Sequence, residues 1–110
     1  MIAIQVSLYP IGEKDIDEKL NIFWETLRAE NINFKITPLS TIIWSEAADI
    51  ETAGDEKEKA EKVEDREEEK LYNSVLKAYM MVRRTCPAVM VSTITTGDKI
   101  SIEKLLKFLK

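Results

Sequence analysis

Residues 2–9 alternate with a period of two. Ile2, Ile4, Val6 and Leu8 fall on one side, and Ala3, Gln5, Ser7 and Tyr9 on the other, which is the spacing of a strand with one face against a core. Pro10 and Gly12 end the run. Such a strand needs an apolar partner, and the next segment supplies one. Ile16, Leu20, Phe23, Trp24 and Leu27 recur at helical spacing behind Asp15, an N-cap, with Glu18 as its capping-box acid. The spacing predicts a helix from Ile16 to Glu30, ending near Asn31.

The pattern then repeats. Phe34 and Ile36 alternate with Asn33 and Lys35 as a second strand, interrupted by Pro38. Ser40-Thr41-Ile42-Ile43-Trp44-Ser45 is β-branched and reads as a third strand, close enough to the second to form a hairpin. Leu71, Tyr72, Val75, Leu76, Tyr79, Met80 and Val82 predict a second helix that stops near Arg84, before Pro87. Ala88 to Thr96 is a fourth strand, closed by Gly97-Asp98, and Ser101 is placed to cap a last helix carrying Ile102, Leu105, Leu106 and Leu109. The order β-α-β-β-α-β plus a terminal helix predicts an α+β fold, a ferredoxin-like two-layer sandwich with a short extra C-terminal helix. At 110 residues the chain is expected to be one domain.

Charge is local. Between residues 51 and 70 ten acids face five bases, so this charged insertion carries −5 of a net −4, and the rest of the chain +1. Its signs alternate at helical spacing, which favours a solvated extension of the second helix over a disordered loop or an acidic lid. No basic stripe is available to neutralise phosphates, so nucleic acid is not an expected partner. No run of apolar residues is long enough to span a bilayer, and the start lacks a basic segment, so a cytoplasmic chain with no membrane partner is expected.

Histidine is absent, which excludes Ser-His-Asp and Cys-His pairs and His-ligated zinc. Cys86, the single cysteine, cannot form an internal disulfide or a multi-thiolate site, and beside Pro87 it reads as inert. No catalytic residue, metal or cofactor is expected, and the chain reads as a binder.

A two-layer fold leaves one sheet face bare. Ala3, Gln5, Ser7 and Tyr9 point to that face if the even residues meet the helices. Trp44, Ile42, Met90 or Ile94 would add apolar area, more than a solvated surface carries. The reading is a homodimer or homotetramer through the sheet faces. The alternative is that the last helix folds over the face of a monomer.

Four strings in order, Ser7-Leu8-Tyr9-Pro10, Ser40-Thr41-Ile42-Ile43, Lys77-Ala78-Tyr79 and Val89-Met90 followed by Thr93, resemble the YkoF-like family of thiamine- and hydroxymethylpyrimidine-binding proteins. The likeness covers the chain apart from the charged insertion and the last helix. It implies a ferredoxin-like fold, association through sheets and non-enzymatic binding of thiamine or its hydroxymethylpyrimidine moiety, for salvage, transport or sensing. A flat heteroaromatic ligand needs ring faces and a few hydrogen-bonding groups. Tyr9, Trp44 and Tyr79 offer rings. Ser7, Ser40, Thr41, Ser92 and Thr93 offer hydroxyls, with Thr41 the first choice. The expected ligand-binding set is Thr41, Ser40, Ser7, Tyr9, Trp44, Ser92 and Thr93. Tyr79 and Trp44 also suit a core or an interface. The competing function is a regulatory or assembly module acting through sheet-face protein contacts.

Overall fold

The computed structural model describes residues 1–12, 14–37, 40–45 and 55–108, with backbone alone at 55–64 and 108. Strand β1 (Ile2–Pro10) leads into helix α1 (Ile16–Ala29), then strands β2 (Asn33–Ile36) and β3 (Thr41–Trp44). Helix α2 (Asp55–Arg83), strand β4 (Ala88–Thr96) and helix α3 (Lys99–Phe108) complete the order. The strands form one antiparallel sheet ordered β2-β3-β1-β4, with α1 packed against α2. This is the ferredoxin-like α+β arrangement that the periodicities predict, with its additional C-terminal helix.

The local rules operate as the sequence suggests at the start of α1. The Asp15 carboxylate accepts from the Glu18 backbone N–H at 3.0 Å, satisfying one of the donors that a helix N-terminus leaves open. Asn31 closes the same helix with a φ of 56°. That left-handed conformation is one that asparagine adopts more readily than most residues.

Register fixes which residues meet the helices. Val6 lies opposite Thr41 and Ser92, and Ile4 opposite Ile43 and Ile94. Ile2, Ile4, Val6 and Ile43 therefore share the helix-side face, where they are buried with Phe23 and Leu27 from α1 and Leu71, Val75, Ala78 and Val82 from α2. Cys86 is also buried there, its thiol directed at the Val82 carbonyl. Two residues expected in the α2 stripe, Leu76 and Met80, lie on the solvent side, 52% and 42% exposed. Ser74 and Ala78 are buried in α2 instead.

Helix α2 begins far upstream of its apolar stripe. Much of the charged stretch, from Asp55 to Lys70, is its N-terminal half; residues 51–54 lie outside the described chain. At 1.5 Å per residue the 29-residue helix is about 44 Å long, against about 30 Å for the nine-residue strands β1 and β4. The excess has no strand length beneath it, which explains its charged composition. Pro38 and Leu109, the expected strand interruption and last helical contact, fall outside the described residues.

One expectation needs correction. Ser101 does not cap α3. Asp98 does, its carboxylate accepting from the Ser101 N–H at 2.7 Å, and Ser101 lies within the first turn. Aspartate and serine cap comparably well, and the position of the first helical turn selects Asp98.

Candidate functional site

The sheet face away from α1 and α2 carries Ala3, Gln5, Ser7 and Tyr9 from β1, Val89, Val91, Thr93 and Thr95 from β4, Ile42 and Trp44 from β3, and Asn33 and Lys35 from β2. Alternation of side chains along each strand puts them together.

Helix α3 covers one end of this face. Ile102 is 1% exposed and forms a second, smaller core with Met1 and Ala3, against which Trp44 and Leu106 pack. Trp44 is thus packed against the small core that α3 helps to close. The far end is open. Tyr9 is 55% exposed, Val91 55% and Val89 46%. Tyr9 stands directly opposite Val89, and Ser7 opposite Val91, which makes a contiguous strip of ring, methyl and hydroxyl groups.

In the middle of the face a buried Ile42 lies between Gln5 and Lys35. The Gln5 amide donates to the Ser40 hydroxyl at 3.1 Å, and Gln5 lies opposite Thr93 on its other side. Ser40 is held by Thr37, whose backbone N–H donates to the Ser40 carbonyl at 2.8 Å and whose hydroxyl accepts from the Ser40 N–H at 3.0 Å. The hairpin therefore fixes the position of the Ser40 hydroxyl, and Gln5 reads it.

The seven residues proposed from the sequence divide between the two faces. Ser7, Tyr9, Ser40, Trp44 and Thr93 share the open side of the sheet. Thr41 and Ser92 sit opposite Val6 and point to the helix side. Thr41, the first choice, is 6% exposed and accepts a hydrogen bond from the Trp24 indole N–H at 3.0 Å. Its hydroxyl joins helix to sheet. Tyr79 likewise has a partner, donating to the Ala88 carbonyl at 2.8 Å. Val89 and Val91, which the sequence-derived set does not include, lie on the same open face. Their signal is parity: once the even residues of β1 face the helices, antiparallel pairing puts the odd residues of β4 on the open face.

Two grooves lie elsewhere, on the helix layer. One of about 500 Å³ runs along α1 past Asn21, Glu25 and Ala29 to Lys77 and Met81 of α2. Another of about 320 Å³ lies between Glu30 and the Arg66–Lys77 portion of α2. Lys77 pairs with Glu30 where they meet. Neither groove includes any of the seven residues. Among the described residues no group of three or more acids or thiols is placed to hold a metal ion. Asp98 sits at the start of α3. The backbone N–H of Ser101, then its hydroxyl, holds the carboxyl below its ordinary value, as hydrogen bonds to a charged form do.

No protein-family model matches this chain, nor does any curated protein. Solved structures do. A candidate thiamine biosynthesis/salvage protein from Thermotoga maritima superposes with a TM-score of 0.66 at 14% identity, over 97% of this chain and 97% of that one. A domain of unknown function, DUF77, from Bacillus cereus gives 0.61 at 11% identity, over 89% and 77%. The hypothetical protein MJ1052 from Methanocaldococcus jannascii gives 0.58 at 18% identity, over 98% and 94%. What the chain shares with them is the fold. The correspondence with the Thermotoga protein spans nearly the whole of both chains, α3 included in the aligned length. No described helix is long and apolar enough to cross a membrane.

Proposed function

We propose that this chain is a non-enzymatic binder of thiamine or its hydroxymethylpyrimidine moiety. It would work as a homodimer or homotetramer whose open sheet faces meet. The observation that carries the reading is the end-to-end fold likeness to the Thermotoga candidate thiamine biosynthesis/salvage protein. The open face agrees with it chemically. Tyr9 offers a ring surface to a heteroaromatic or a thiazolium cation, and Ser7, Ser40 and Thr93 offer hydroxyls on the same side of the sheet. An opposing copy would turn this shallow strip into an enclosed slot. Burying the exposed valines would drive that closure.

Calorimetric titration of the purified chain with thiamine and with hydroxymethylpyrimidine tests the reading. Saturable heat from one of them is expected, and no heat from either at millimolar ligand overturns it. Tyr9→Leu should weaken binding about two- to fivefold, the loss of one exposed cation–π contact. The flatness of the open strip also favours a second reading, a module that binds a protein partner through this face. One stoichiometric partner, captured with no ligand heat and lost in Val91→Glu, would establish that reading instead.

A further inference from the structure

The sheet ends on two unlike edges. β2 is four residues long and carries Lys35, and short length and lysine both keep an edge from pairing with another chain. β4 is nine residues long, Ala-Val-Met-Val-Ser-Thr-Ile-Thr-Thr, with no charged residue and no proline. It lacks every one of those protections.

Its hydrogen-bonding direction follows from its two ends. Gly97 and Met1 exchange bonds at 3.1 Å in each direction, and the Ile11 N–H donates to the Pro87 carbonyl at 2.8 Å. Alternation in an antiparallel ladder then joins Val89, Val91, Thr93 and Thr95 to β1. The N–H and C=O groups of Ala88, Met90, Ser92, Ile94 and Thr96 point outward. Tyr79 occupies the Ala88 carbonyl and closes that end. Met90, Ser92, Ile94 and Thr96 remain as an outward row, with Ser92 near its middle.

The side chains give a second, independent observation. Ile94 points to the helix side, as its neighbour Ile4 does, yet Ile94 is 47% exposed and Ile4 1%. The main core reaches Ala88 and Met90 on β4 and stops short of Ile94. Among the described residues no core cluster takes in this apolar side chain on the core side of the edge.

We propose that β4 pairs with β4 of a second copy of this chain, antiparallel about a two-fold axis at Ser92, so that two sheets become one. This register sets Met90 of each copy opposite Ile94 of the other, covering the exposed isoleucine twice. Opposite Ser92 stands another Ser92. The strand is neutral, so the two-fold brings no like charges together. The contact is an edge and is separate from the face proposed above for ligand binding, so either can fail alone.

Light scattering after size exclusion reads the outcome. The wild-type chain should show at least twice its 12.6 kDa mass. Ile94→Lys, which adds an edge charge, and Ile94→Pro, which removes an outward N–H together with the isoleucine side chain, should each halve that mass while far-ultraviolet dichroism stays unchanged. Val91→Glu, on the open face, separates face contacts from edge contacts. A wild-type monomer at 100 µM, on the order of a weak dimer's dissociation range, overturns the proposal. So does an oligomer that Val91→Glu dissociates and neither Ile94 variant alters. Hydrogen exchange gives a readout without mutation: the amides of Met90, Ser92 and Ile94 should be protected in proportion to oligomer. Fast exchange of all three at every concentration would falsify the pairing even if the mass is high.

Discussion

The two faces of this sheet are built from the same four strands and have opposite fates. On the helix side Ile2, Ile4, Val6 and Ile43 are each 1% exposed or less. On the other side Tyr9, Val89 and Val91 are about half exposed, while the Ala3–Trp44 end and Ile42 beside it are covered. The difference is one of helix length. α1 and the C-terminal half of α2, from Leu71 to Val82, lie against one face, while α3 supplies ten residues against the other. Ten residues make about 15 Å of helix, half the length of the nine-residue strands beneath. A ten-residue helix can seal one end of such a sheet and no more, so the remaining strip is where a ligand or a second chain finds apolar surface.

The contrast can be broken most severely from the helix side. Phe23→Ala should cost about 3–5 kcal/mol in urea unfolding, since the ring is almost fully buried in the main core. Val91→Ala on the open face should change the unfolding of the dilute chain by about 0.5 kcal/mol or less. Equal losses at the two sites would mean that the open face is packed in solution.

A smaller effect is expected where α3 docks. Ile102→Ala empties the centre of the second core and should cost about 2–3 kcal/mol. Tryptophan emission should also shift to the red, because Trp44 packs against that core. Unchanged emission would show that α3 does not cover Trp44.

The Thr41–Trp24 hydrogen bond sharpens the assignment of faces. Thr41→Val keeps the shape and strands the indole N–H, at a cost of about 1 kcal/mol. Removing both polar groups in Thr41→Val with Trp24→Phe should couple the two losses in a double-mutant cycle. Ligand affinity should stay level in Thr41→Val, as its hydroxyl faces the helices. A stable variant with weakened binding would return Thr41 to the site.

The smallest effect belongs to Asp98. Its carboxyl titrates below the ordinary range in the folded chain, so its contribution is complete above the unfolded-state value and is lost as pH falls through the folded one. Asp98→Ala should therefore lower the melting temperature slightly at neutral pH and leave it unchanged in strong acid. A difference that persists in acid would rule out capping by the carboxylate as its source.

Residues within one element were legible from the sequence because their physics is local. The alternation of 2–9 defined β1, Asp15 and Glu18 marked the start of α1, and Ala88–Thr96 matched β4 at both ends. The charged run was legible as a continuation of α2 because its signs alternate at helical spacing. Misreadings arose where two signals competed within a few residues. Asp98 and Ser101 are both good caps, and the position of the first helical turn chose between them.

The site was legible only as chemistry. The sequence determined that hydroxyls and rings lie on strands, that no imidazole chemistry is possible, and that a β-α-β-β-α-β order must leave one sheet face without a full helix layer. Tertiary structure alone decided which residues share that face. A strand's parity is set by its register with its neighbour, and a one-residue slip exchanges its two sides. Register placed Ser7 and Tyr9 beside Val91 and Val89, turned Thr41 towards Trp24, and left Ile94 on the core side of an edge that the core does not reach.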